Sequence, residues 1–176
     1  MIKFSRRFAL GAVVASATAA VGAWIGGSRR TRAERLLRPP GALKGDAFLD
    51  ACARCFKCGS ACPNSCIEFF DLSDGIDRAF TPYIHARSKG CVLCGICAEV
   101  CPTGAIEPFE ISREGWKLGV SMGVARVNES MCYSYHGRTC GACYRACPLA
   151  GEALTIGVFE TPHVHPEACV GCGLCE

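Results

Sequence analysis

Of the 176 residues, 16 are cysteine, and all but one fall into four groups with a fixed rhythm. The first reads Cys52-x2-Cys55-x2-Cys58-x3-Cys62-Pro63, and the second Cys91-x2-Cys94-x2-Cys97-x3-Cys101-Pro102. The third is Cys132-x7-Cys140-x2-Cys143-x3-Cys147-Pro148, and the fourth Cys169-x2-Cys172-x2-Cys175, followed by Glu176. Cys66 stands outside this pattern, close behind the first run. An even number of thiols suits either a disulfide framework or sets of metal thiolates. Spacing separates the two. Cysteines three apart in tight loops rarely satisfy disulfide geometry again and again. A structural zinc site uses paired knuckles, which leaves the third cysteine of each run without a role. No CxxC is followed by histidine, so c-type haem attachment is absent.

The rhythm is that of bacterial ferredoxin [4Fe–4S] ligation. Three thiolates at x2 intervals wrap one cubane, each reaching a different iron. Gly59, Gly95, Gly141 and Gly173 are expected to permit the tight backbone path. Loop N–H groups then point at the sulfurs and offset their negative charge. The proline after the fourth cysteine keeps that cysteine out of the helical region. In two-cluster ferredoxins the fourth cysteine serves the other cluster, so runs interlock in pairs. Fifteen cysteines are therefore the candidate ligands: three full sets and an incomplete fourth. His85, His136, His163 and His165 have no ligand spacing and read as surface or loop residues.

These runs need elements to position them. The expected fold is α+β and loop-rich: tandem ferredoxin-like modules of two clusters each, behind an N-terminal signal or anchor helix. Residues 104–106 and 153–158 read as short strands after the second and third runs. Residues 125–128 and 163–165 read as their partners, and 47–51 as a helix entering the first run. Val92, Leu93, Ile96, Val170 and Leu174 are expected to cover the clusters. So many loops leave little conventional core, so cluster binding must supply folding free energy and the apo-protein should be largely unfolded.

The leader is a separate segment. Residues 1–38 hold eight Lys/Arg and one acid, Glu34, so the net charge of +3 is a property of this stretch. No basic patch interleaved with aromatics follows, so no nucleic-acid partner is expected. Ser5-Arg6-Arg7 precedes an uncharged run at 8–27, the layout of a twin-arginine export signal. Ala9 stands where that signal usually has Phe, and no Ala-x-Ala site closes the run. Cleaved signal and retained anchor both remain open. The division is 1–35 leader and 36–176 polyferredoxin region, with runs at 52–66, 91–101, 132–147 and 169–175.

Further motifs carry a family resemblance. Leu37-Arg38-Pro39-Pro40-Gly41-Ala42, Ala51-Cys52-x-Arg54-Cys55 and Thr81-Pro82-Tyr83 belong to it. So do Gly137-Arg138-x-Cys140, Cys143-Tyr144-Arg145-x-Cys147-Pro148 and Pro162-x-Val164-His165. In these the chain resembles the MauM/NapG family of ferredoxin-type proteins over 36–176, together with the leader. The resemblance implies an exported electron carrier, periplasmic or on the periplasmic face of the inner membrane. It implies an integral membrane, ferredoxin-type quinol dehydrogenase partner and a periplasmic reductase or dehydrogenase, of nitrate reductase or methylamine utilisation type. By analogy with four-run proteins, the first run pairs with the fourth and the second with the third. One set is then Cys91, Cys94, Cys97 and Cys147; another Cys132, Cys140, Cys143 and Cys101; a third Cys169, Cys172, Cys175 and Cys62. Cys52, Cys55 and Cys58 would lack a fourth thiolate. Family members continue past the fourth run with x3-Cys, so a C-terminally truncated sequence is expected here, unless Cys66 completes the first set. Otherwise Cys66 is a buried free thiol. No catalytic constellation or phosphate loop is present, so the chain reads as an electron carrier and not an enzyme. The alternatives are an iron–sulfur subunit of another exported oxidoreductase and an accessory or maturation factor.

Overall fold

A computed structural model describes residues 37–176; the expected leader lies outside the described residues. Among them, no helix is long and apolar enough to cross a membrane. Secondary structure is sparse, because the cysteine loops take up so much of the chain. Helix α1 (Asp46–Ala51) buries Phe48 and ends at Cys52, whose N–H donates to the Phe48 carbonyl. Helices α2 (Lys57–Ser60) and α3 (Ile96–Glu99) are single turns inside the first two runs. Helix α4 (Arg113–Gly119) lies in the connection between the second and third runs, and α5 (Ala142–Ala146) lies in the third. The α4 start is set by Ser112, whose Oγ accepts the Gly115 N–H at 2.9 Å.

Two antiparallel hairpins organise the chain. Strand β1 (Ile67–Phe69) pairs with β2 (Pro82–Ile84), in register Ile67 to Ile84. Strand β3 (Leu154–Ile156) pairs with β4 (Pro162–Val164), in register Leu154 to Val164. Each hairpin follows the last cysteine of one run and leads into the next, so the order run–hairpin–run occurs twice. Helix 47–51 and the strands at 153–158 and 163–165 match the sequence reading closely. Residues 104–106 make only an isolated bridge, Ala42 to Ile106, and 125–128 form no strand.

A strap at residues 37–43 closes the first module. Leu37 exchanges backbone hydrogen bonds with Ile84 at 3.2 and 2.7 Å, and the Leu43 N–H donates to Ala105 at 3.0 Å. Between these ends, the Arg38 guanidinium lies over Phe48 and Phe70 and donates to Thr81 Oγ1 and the Pro82 carbonyl, both at 2.8 Å. The core runs through both modules, from Phe48, Ile84 and Ile106 to Leu149, Ala153 and Val170. At the junction the Cys91 N–H donates to the Cys172 carbonyl at 2.7 Å. A Cβ on Gly90 would come within 2.7 Å of the Leu174 nitrogen, so the approach of the backbones requires glycine there.

Candidate metal centres

The cysteine loops owe their curvature to backbone conformation. Left-handed residues flank the second cysteine: Arg54 (φ 54°) and Phe56 (φ 63°), Leu93 (φ 57°) and Gly95 (φ 75°), Gly171 (φ 73°) and Gly173 (φ 80°). Alternation of this kind turns successive N–H groups inward toward the sulfurs. The Leu93 N–H, for example, donates to Cys91 Sγ at 3.4 Å, and the Ala125 N–H to Cys169 Sγ at 3.5 Å. Glycine serves this purpose at 95, 141 and 173, as expected, but Gly59 does not. Phe56 takes its place in the first run, held by edge contacts to Phe69 at 4.7 Å and Phe80 at 6.2 Å. Gly59 is needed for another reason: a Cβ there would stand 2.6 Å from the Phe69 ring.

Three cavities gather the thiols. Cys52, Cys55 and Cys58 share one with Cys101, walled by Phe48, Phe69, Ala105 and Ile106. Cys91, Cys94 and Cys97 share another with Cys62 and Cys66. Cys169, Cys172 and Cys175 share the third with Cys147, walled by Leu149, Leu154 and Val170. The remaining cysteines, Cys132, Cys140 and Cys143, form a set of their own, in which burial raises Cys143 and thiolate charge on the other two adds to the rise.

This corrects the pairing expected by analogy. The first run interlocks with the second and the third with the fourth. The reason is local. A hairpin joins each of these pairs and brings the two runs side by side, whereas residues 102–131, with α4, connect the second and third runs without one. The incomplete set is accordingly Cys132, Cys140 and Cys143, and not the first run. Cys66 is likewise placed away from the first run's set: its Sγ lies 3.6 Å from Cys62 Sγ, in the second cavity.

Does the donor set fit a [4Fe–4S] group? Among the described residues, no three Cys, His, Asp or Glu side chains converge tightly enough to grip a single ion. The thiols instead ring each cavity, which suits a group that offers separate irons to separate thiolates. Burial pushes Cys58 up to about 11, Cys97 up to about 12 and Cys175 up to about 11, with neighbouring thiolate charge adding to the effect. Such thiols ionise only against strong positive charge, so loading must release protons. Cys101 goes the other way. Burial raises it, but N–H groups of Ile106, Thr103 and Ala105 outweigh burial and lower it. Burial also raises Cys147, although the Leu149 N–H and, less strongly, Arg113 oppose that rise. Cys147 has φ −77° and ψ 122°, the extended conformation that its following proline requires. The cover is mixed: Leu93 and Val170 are buried, whereas Val92 is 44% exposed. The histidines at 85, 136 and 163 are exposed, and His165 is half-buried against Thr155 Oγ1.

Comparison with known proteins agrees with this donor chemistry. The family model for the 4Fe-4S dicluster domain matches residues 51–105 and 90–151. The first match spans the first two runs together with the hairpin between them. The ferredoxin-type protein NapG of Escherichia coli K12 is 38% identical over 97% of this chain and 79% of its own length. The methylamine utilization ferredoxin-type protein MauM of Methylophilus methylotrophus is 38% identical over 85% of this chain and 68% of its own. The MauM of Methylorubrum extorquens is 35% identical over 81% and 67% respectively. No solved structure matches the chain. Ferredoxin-type domains, [4Fe–4S] clusters and an electron carrier in place of an enzyme follow from these likenesses.

Proposed function

Because the chain belongs to the ferredoxin-type family that contains NapG and MauM, we propose that it relays single electrons through clusters held in two interlocked pairs. The observation that carries this reading is the exchange of the fourth cysteine between neighbouring runs. Cys52, Cys55, Cys58 and Cys101 form the first site; Cys62, Cys91, Cys94 and Cys97 the second. Cys147, Cys169, Cys172 and Cys175 form the third, and Cys132, Cys140 and Cys143 contribute to a fourth. When bound, the clusters supply one-electron uptake and release without bond-making at a substrate.

The polypeptide holds the sites in a fixed order. Cys97 lies near Cys58 and Cys62, so the first and second sites adjoin. The Cys91–Cys172 backbone hydrogen bond joins the second to the third. The third run carries Cys147 into the third site while its other thiols form the fourth. Apolar walls exclude water, and loop N–H groups stabilise the sulfurs as negative charge accumulates. The arginine pair and apolar stretch of the leader support export by the twin-arginine route to the periplasmic face of the inner membrane. On the family resemblance we further propose a membrane quinol-oxidising partner on one side and a periplasmic reductase or dehydrogenase on the other. The test is anaerobic reconstitution of the full chain. Bound iron and sulfide with broad visible absorption, followed by reoxidation of the reduced protein by a periplasmic reductase, is the expected result. Protein that takes up no iron and sulfide ends the reading.

A further inference from the structure

The second site has one thiol too many. Cys62, Cys66, Cys91, Cys94 and Cys97 all line it, and a cubane has about four irons to ligate. Cys66 is the supernumerary one by position, since the other four fill the places that the runs assign. It is 3% exposed and 3.6 Å, sulfur to sulfur, from Cys62. Its side chain also meets that of Cys91. The contact is built into the backbone. The Ser65 N–H donates to the Cys62 carbonyl at 3.1 Å, Ser65 takes φ 48°, and β1 begins at Ile67 directly afterwards. The turn thereby folds Cys66 back over the last cysteine of its own run.

We propose that Cys66 stays a thiol and donates its S–H to the Cys62 sulfur, raising the reduction potential of the second site. This rests on the ligand reading of Cys62, Cys91, Cys94 and Cys97 given above. Reduction adds negative charge to a group already bound by thiolates. A donor aimed at a ligand sulfur stabilises the reduced form more than the oxidised form, so the potential moves positive. Burial strengthens the effect, because no water replaces the donor and the local dielectric is low. Ile67, 9% exposed, and Pro40 form the apolar surroundings. The position has a use: the second site adjoins the junction at Cys91 and Cys172, where its potential biases exchange between modules.

The experiment is an EPR-monitored redox titration of the reconstituted full chain, compared with Cys66→Ala and Cys66→Ser. Alanine removes the donor and is expected to keep full iron and sulfide while one midpoint shifts negative and the rest stay. Serine keeps an O–H donor and is expected to restore part of that shift. In D2O the wild type should show a shifted iron–cysteine stretching band in resonance Raman that Cys66→Ala lacks. Fully loaded Cys66→Ala and Cys66→Ser with wild-type midpoints would make Cys66 a packing residue and overturn the proposal. Loss of one cluster's iron from Cys66→Ala, with the ligand retained by serine or not, would make it a ligand and also overturn it. Wild-type protein that binds no iron would instead refute the underlying reading.

Discussion

The two modules share an order of elements but not a way of standing up. The first has the strap at 37–43, the half-buried Arg38 between two aromatic rings, and a long hairpin connection at 70–81 that closes over Phe70 and Thr81. The second has a short connection at 157–161, and in place of the strap residues 122–125 lie along its fourth run, with the Met122 N–H donating to Val170 at 3.1 Å. Its third run opens with x7 in place of x2, and a short 3-10 turn at Tyr133–His136 fills the gap. Apolar bulk follows the same division: Phe48, Ile84 and Ile106 stand against Leu149, Ala153 and Leu154. The first unit thus has more packing of its own to hold it than the second.

Removing iron should expose that difference most strongly. Anaerobic chelation is expected to strip amide protection from residues 132–176 throughout, while some protection survives around β1, β2 and the strap. Hydrogen exchange read by mass spectrometry measures this directly. Equal collapse of both modules would mean that the strap and aromatic contacts contribute nothing without metal.

The next largest effect tests the interlock. Cys55→Ser and Cys101→Ser belong to different runs but to one cavity. Each should lower bound iron by about four per chain, and the double variant should lose no more than either alone. Combining Cys55→Ser with Cys147→Ser should instead lose about eight. Additive loss for the first pair would restore the pairing expected by analogy.

How much of this was readable in advance follows from what sequence encodes locally. Ligand rhythm is local, so the cysteine groups, the helix at 46–51 and the hairpin at 154–164 could all be read. Which runs meet is decided by the hairpins between them, and the strands of the first hairpin are too short and irregular to stand out. Strands β1 and β2 went unrecognised because Glu68 interrupts one and Pro82 opens the other. The partial signal was the presence of Phe69, Phe70 and Tyr83 between the first and second runs. The left-handed Phe56 was missed because glycine is the usual occupant of such a position, and here aromatic packing overrides the preference. Cys66 could not be placed from its number, because a left-handed Ser65 sets the direction of its side chain.

Position 56 offers a finer test of the same contrast. Its counterpart in the third run, Gly141, has φ 56° and no strain. Phe56→Ala loses the aromatic contacts and keeps the strained backbone, whereas Phe56→Gly loses the contacts and relieves the strain. The glycine variant should therefore be the more stable of the two by about 1 kcal/mol. Gly141→Ala should cost about 1 kcal/mol on the same ground. Thermal unfolding of loaded protein is the measurement. Alanine equal to glycine at 56 would show that the loop relaxes once the ring is gone.

The smallest expected effect concerns the clip that ties α4 to the second module. Glu152 receives Arg113 at 2.8 Å and Lys117 at 2.6 Å, and Arg113 also donates to the carbonyls of Pro148 and Ala150. Lys117 holds the Glu152 carboxyl below its ordinary 4.5, and Glu152 holds Lys117 above its ordinary 10.5. The carboxylate's contribution is complete above about 4.5 and is lost as pH falls through its lowered folded value. The ammonium's contribution is complete below about 10.5 and is lost as pH rises through its raised folded value. At pH 7 both are fully present. Glu152→Gln should thus lower the unfolding temperature slightly at pH 7 in low salt. The difference from wild type should shrink at high salt, where exposed charges are screened, and again as pH is taken below 4.5. Among the described residues the first module has no such ion pair across its hairpin; there Arg38 is half-buried, stacked on aromatic rings and hydrogen-bonded. Arg38→Gln should for that reason retain its penalty at high salt. A penalty in both variants that vanished together with salt would mean that the two modules are held by the same kind of force.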